Sequence, residues 1–458
     1  MKKKLVVLTA AAALGAAAVP AMAFENEFHG MFLTQGITSN MFTGTTGTVA
    51  VSQPNLDATK NFVDQRARLQ YIAKASDDLK LVTHFELDGR WGDSSYVAGS
   101  RNAGYALGGD SINLETKNVY LDFNIPGAPV NAKVGLQGLN DAYKGIFVGN
   151  DAAGALLTSK LGAATVQAGW FRFDDARAAG QALGKTTRDF SLLDGSVAVT
   201  KDIKVGASYY YYYDDNSSLT GTATAANNVF AGKTNVKLNM LGVNGSAAMG
   251  PVNVDGFFLY QNGSFSGSPH VNAFAANVGA KVAAGPGAVK ANLLYTSGSK
   301  NAAGGDFGNS FISAMNDTSS AYMESGIFSG ANTVLLFRGN GYRTSNTDQS
   351  LVGDASNKGT GIAAAFVGYD GAVGKVFFNA NAAVVANAKK QVSGTYANKS
   401  QFLGTEINAE VGYKLYDNLK ASVQGATVFL GSAFSGTDGA NGYADQPYLG
   451  RVILSYTF

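Results

Sequence analysis

Residues 62–90 read FVDQRARLQYIAKASDDLKLVTHFELDGR, two alternating segments on either side of Ser76-Asp77-Asp78. After the break, Leu79, Leu81, Phe85 and Leu87 alternate with Lys80, His84, Glu86 and Asp88. A two-residue period puts one set of side chains on each face of a strand, so the segment predicts a β-hairpin with one dry and one wet face. A turn centred on Asp77 sets Asp64 opposite Arg90, Arg66 opposite Asp88 and Arg68 opposite Glu86. A two-residue slip would oppose Arg66 to Arg90 or Asp64 to Asp88, so charge selects the register. Each pair is worth only about 0.2–1 kcal/mol in a sheet. In a chain with 15% charged residues, that is little reason to concentrate charge here.

The same alternation recurs outward from this hairpin. Ile407, Ala409, Val411 and Tyr413 alternate with Glu406, Asn408, Glu410 and Lys414, and at the end of the sequence Val452, Leu454, Tyr456 and Phe458 alternate with Arg451, Ser455 and Thr457. Tight-turn signals fall near 76–78, 126–129, 162–163, 201–202, 249–251, 285–287, 370–374 and 416–418, each joining two strand-like segments. With the unpaired segments 27–35 and 446–458 the expectation is eighteen strands, with sixteen as the alternative. Long polar connections are expected at 36–61, 89–111, 139–153, 174–187, 214–233, 263–270, 298–360, 387–400 and 431–445. Short turns on one side and long loops on the other are the asymmetry of spanning barrels.

Lys2, Lys3 and Lys4, an apolar stretch from Leu5 to Ala18, and Ala21-Met22-Ala23 read as a cleaved secretory signal peptide over 1–23. Residues 24–458 are then expected to form one domain. Removing three lysines and no acid takes the formal net charge from +2 to −1, a poor balance for binding nucleic acid. The chain has no cysteine, which excludes disulfides, thiol chemistry and Cys-ligated metal. No run of 18 apolar residues follows residue 23. In lipid, where backbone groups have no water, an all-strand chain spans only by closing on itself.

These features together, the signal peptide, hairpins across 24–458 and the terminal YLGRVILSYTF, resemble Gram-negative outer-membrane porins. The resemblance implies an all-β, transmembrane, antiparallel up-and-down barrel in the bacterial outer membrane. It also implies a homotrimer and recognition of Val452, Leu454, Tyr456 and Phe458 by the barrel-assembly machinery. FENEFHGMF at 24–32 resembles outer-membrane channel proteins of metal-reducing bacteria. The partners implied are outer-membrane lipid and small hydrophilic solutes or ions. Barrels of this strand number leave a water-filled channel.

Parity makes Asp64, Arg66, Arg68, Lys74, His84, Glu86, Asp88, Arg90, Glu406, Glu410 and Arg451 candidates for the channel wall, with Lys133, Lys204, Asp255 and Lys420 beside them. Charges of both signs predict weak ion selectivity. In the run Tyr209–Tyr213, Tyr209, Tyr211 and Tyr213 are expected to face lipid, while Tyr210 and Tyr212 point inward, where they could offer stacking surface to a sugar. The long connection 298–360 contains the strand-like NTVLLFRG and could add a hairpin or constrict the mouth.

Alternative functions find little support in the residues. The three histidines, His29, His84 and His270, make no metal motif, and no cofactor is expected. GYDGAVGKV resembles a phosphate loop, but Gly368 and Gly374 are too far apart and Val376 stands where Ser or Thr is needed. An outer-membrane hydrolase would have only His84 with Glu86 and Asp88 to work with. A plugged receptor needs an N-terminal domain, for which the first strand leaves no residues. A scaffold or sheath for a partner, or a surface-interaction protein, remains as the competing class.

Overall fold

The computed structural model describes residues 25–42, 59–94, 104–109, 113–175, 183–215, 235–302 apart from 267, 305–314, 328–337, 342, 344, 347, 350–392, 400–434 and 446–458. The expected signal peptide lies outside the described residues. Eighteen strands run in sequence order: β1 (Glu25–Ser39), β2 (Lys60–Ser76), β3 (Leu79–Arg90), β4 (Glu115–Asn124), β5 (Val130–Asn140) and β6 (Gly149–Leu161). They continue with β7 (Ala164–Asp175), β8 (Thr187–Ala198), β9 (Ile203–Asp214), β10 (Val236–Met249), β11 (Val252–Phe265) and β12 (Ser268–Ala284). The last six are β13 (Gly287–Thr296), β14 (Ile362–Val373), β15 (Val376–Asn387), β16 (Phe402–Lys414), β17 (Leu419–Leu430) and β18 (Tyr448–Thr457).

Each strand pairs antiparallel with its sequence neighbours, and β18 pairs with β1, from Met31↔Thr457 to Ser39↔Leu449. The sheet is therefore closed, which leaves no edge and satisfies the backbone within the wall. The seam ends where Gly30 and Phe458 exchange backbone hydrogen bonds of 2.9 and 3.1 Å. Gly30 is needed there, because a Cβ would sit 2.5 Å from both the Arg68 carbonyl oxygen and the Phe458 ring.

The charge argument for register holds: Asp64↔Arg90, Arg66↔Asp88 and Arg68↔Glu86 are the observed partners. All eight expected tight turns are present. Two of them, Gly250-Pro251 and Gly285-Pro286, place glycines at φ +62° and +55° before a proline, the backbone that a twisted two-residue hairpin requires. One expected loop is corrected. β12 begins at Ser268, three residues after β11 ends at Phe265, so 263–270 is a tight connection rather than a long one.

The side-chain arrangement is inside out relative to a protein folded in water. Val452, Val278, Leu293 and Leu241 lie on the outer face at 60–63% exposure, while Asp64, Glu86 and Glu406 on the inner face are at 0%. A soluble protein does not hold so broad an apolar surface toward water, whereas lipid accepts it. The outer face also carries Tyr209, with Tyr210 and Tyr212 turned inward, as the alternation requires.

Candidate functional site

The interior is filled from one side by two inward-folded connections. The shorter, 141–148 between β5 and β6, is shaped by Asp141. Its carboxylate accepts the backbone N–H groups of Tyr143 (2.8 Å), Gly145 (2.9 Å), Phe147 (2.7 Å) and Val148 (2.8 Å). Burial pushes the Asp141 carboxyl up to about 6, against these four bonds, which pull it down. The folded loop packs Tyr143 and Phe147 onto β8 and β9, with Tyr143–Tyr210 and Phe147–Tyr212 ring centroids 5.7 and 5.6 Å apart. Tyr210 and Tyr212 thus point inward as expected but are fully covered. They anchor a loop and offer no stacking surface to a sugar.

The longer connection, between β13 and β14, also turns into the barrel and adds no hairpin to the wall. Gln261 on β11 bonds both the N–H and the carbonyl of Ile312, at 2.8 and 2.7 Å. Phe147 of the first loop accepts the N–H of Ala314 at 3.0 Å, which joins the two loops. Within the strand-like NTVLLFRG, the described residues 332–337 form no strand, and Phe337 makes only an isolated bridge to Val352. Glu406 on β16 takes the N–H groups of Val334 (2.6 Å), Leu335 (2.9 Å) and Leu336 (2.6 Å), so those donors end on a carboxylate instead of a ladder. Phe337 and Phe328 then pack against Phe366 on β14.

The expected wall residues divide into two groups. Glu406, Glu410, Arg451 and Asp64 lie on the inner face but are covered by the long connection. Tyr342 donates its hydroxyl to Glu410 at 2.9 Å and gives its carbonyl to Arg451 at 2.7 Å, while the Thr344 hydroxyl bonds Asp64. Arg451 also bonds Gln424 (2.8 Å) and Gln35 (2.9 Å). These four side chains hold the loop, a use that parity alone did not reveal.

The second group stays on the β2–β3 wall. Arg66 makes a two-pronged bond to Asp88 at 2.7 and 2.6 Å and reaches Glu86 at 3.0 Å; Arg68 bonds the other oxygen of Glu86. Asp64 and Arg90 are opposed in register, yet they are drawn to other partners, Asp64 to Thr344 and Arg90 to Asp93 at 3.2 Å. Arg68 keeps a quarter of its side chain exposed, and His84 is partly buried. Lys74 bridges Glu25 (3.0 Å) and Asp77 (3.2 Å) at the short-turn end. Glu86 and Asp88, the carboxylates near His84 in sequence, are committed to arginines. Among the described residues no cluster of three metal-ligating side chains occurs.

Fold and interior together define a closed eighteen-strand transmembrane-type barrel whose lumen is narrowed by loops. Among solved structures, the chain is similar to the outer membrane protein opdK from Pseudomonas aeruginosa, with TM-score 0.55 and 9% identity over 95% of this chain and 98% of that chain. OccK8 (OprE) from the same organism gives 0.55 at 13% identity, covering 95% and 98%. OccAB4 from Acinetobacter baumannii gives 0.53 at 11%, again covering 95% and 98%. No family model and no curated protein matches the sequence. At such identities the likeness is one of fold.

Proposed function

We propose that the chain is an outer-membrane porin, a channel that passes small hydrophilic solutes and ions down their gradients without catalysing a reaction. The observation that carries this reading is the inside-out barrel with two loops anchored to its inner face, while Arg68 on β2 and His84 and Arg90 on β3 keep part of their side chains exposed. A barrel of this size needs no filling to be stable, so loops anchored inside it narrow a passage. Charged side chains of both signs on the remaining wall sort solutes weakly by charge. The outer membrane is the location in this reading, supported by the apolar outer face and by the likeness to a solved outer membrane protein.

Two further parts belong to the same proposal. Val452, Leu454, Tyr456 and Phe458 share the outer face of the closing strand, where the barrel-assembly machinery would read them, and the barrels associate as homotrimers. Liposome swelling tests the function. Vesicles carrying the refolded barrel should swell in small sugars and amino acids, with rates falling as solute size rises. Swelling no faster than that of protein-free vesicles would overturn it.

A further inference from the structure

A second charged system lies on the inner face, at the short-turn end of the strands. Lysines stand directly opposite one another there in three cross-strand pairs: Lys74↔Lys80, Lys281↔Lys290 and Lys414↔Lys420. Like charges in this position destabilise a sheet, so stability does not account for them. The wall relieves the repulsion only in part. Lys74 has Glu25 and Asp77, Lys80 has Asp122 at 3.5 Å, and Lys290 has Asp370. Among the described residues, Lys281, Lys414 and Lys420 make no ion pair, though Lys420 lies 5.9 Å from the Phe377 ring centroid.

Parity fixes where these ammonium groups point. Lys281 shares its face with the buried Ala273 and Ala275, Lys414 with Glu410, and Lys420 with Gln424. Elsewhere on the circumference, Lys133 and Lys160 also make no ion pair among the described residues. They line a pocket of about 880 Å³ beside the turn at 125–129, with Asn131, Thr158 and Gln167 offering polar groups and Asp78 a carboxylate, and Asp122 stands opposite Lys133. Every one of these lysines lies within four residues of a strand end at a short turn.

We propose that this mouth of the barrel is a binding site for multiply charged small anions. The inference rests on the open-channel reading for access from water, and it gives that channel a charge-selective end. An anion at one pair satisfies both its ammonium groups and removes the repulsion between them; the pairs stand on β2–β3, β12–β13 and β16–β17, too far apart around the wall for one small anion to span, so each is a separate site. Lysine suits the task because its ammonium is a compact point charge with three donors on a flexible stem.

The site is tested by titrating inorganic tripolyphosphate into the purified barrel in non-ionic detergent at low salt, and comparing the Lys281→Gln, Lys414→Gln, Lys420→Gln variant. The substitutions remove like-charge contacts, so the variant should fold at least as well. Saturable binding of more than one equivalent is the expected result, with fewer equivalents bound by this variant and by a Lys133→Gln, Lys160→Gln variant. No binding by the unmodified protein, or the same number of equivalents bound by all three, would overturn the proposal. In planar bilayers, tripolyphosphate should block current only from the short-turn side, with orientation read by a charged thiol reagent on an Ala163→Cys variant, at an exposed position of the turn between β6 and β7. Block from the other side alone, or equally from both, would also overturn it. A folded barrel that passes no current would contradict the porin reading, while the titration in detergent would still decide the binding site.

Discussion

The Glu406 carboxylate lies 2.6 Å from the backbone nitrogen of Leu336, which joins the barrel wall to a segment seventy positions earlier in the chain. It takes the neighbouring amides of Val334 and Leu335 as well, and Asn408 steadies it at 2.8 Å. One side chain thus replaces the hydrogen bonds that a strand would have supplied. Hydrogen bonds to a charged group are each worth about 1.5–3 kcal/mol, and a buried amide left without a partner costs about 1–3 kcal/mol. Glu406→Ala should leave the barrel closed but free residues 328–337 from the wall. Limited proteolysis should cut the variant within the long connection and spare the parent protein.

Asp141 gives the shorter loop a dependence on pH. Its carboxyl sits at about 6 when the loop is packed, against an ordinary value of 3.8. The packed state therefore holds a proton that the released state gives up. The resulting stabilisation is fully present below 3.8, is lost as pH rises toward 6, and changes little beyond. Loop 141–148 should be held more tightly at pH 4.5 than at pH 7.5. Hydrogen exchange at the amides of Phe147 and Val148, corrected for the intrinsic pH dependence of exchange, should show greater protection at the lower pH. Asp141→Asn should abolish the difference.

The Arg66, Asp88 and Glu86 cluster is nearly sealed from solvent. Removing the cation leaves two carboxylates close together without their main partner, and breaking a buried pair from one side costs about 3–5 kcal/mol. Arg66→Ala should lower the urea midpoint of the barrel in lipid vesicles markedly. Replacing Arg66, Glu86 and Asp88 together by Met, Gln and Asn should cost less, since the only charge left without its partner is Arg68, which still reaches solvent.

At the seam, Gly30→Val should slow or prevent closure of β1 on β18, because the new side chain would meet the Arg68 carbonyl and the Phe458 ring. Heat-modifiable gel mobility, which separates closed from open barrels, should show a loss of the compact form. A Gly36→Val variant serves as control: the nearest atom to a Cβ there is 4.0 Å away.

The sequence carried the wall of this protein far better than its interior. Alternation and turn chemistry are local, so the strands and the pairing of Arg66 with Asp88 could be read from spacing and charge. The inward loops depend on partners distant in the chain. Nothing near Val334 says that its amide will meet Glu406, and the apolar run at 332–339 therefore looked like a strand. A signal was present at 141–148, where an Asp is followed by Gly145 and the apolar Ile146-Phe147-Val148 in what should have been a polar loop. Parity put Glu410 and Arg451 on the right face, but it could not tell an open wall from one covered by Tyr342. The lysine pairs were visible only in part, because their significance depends on cross-strand register.

Single-channel recording in planar bilayers tests the central claim, that this barrel encloses a loop-narrowed aqueous passage. The account predicts stable, ohmic current steps from the folded protein, larger steps from Glu406→Ala, and a reversal potential in a salt gradient that shifts toward cations in Arg68→Ala. Folded barrels that carry no current, with or without Glu406, would contradict it.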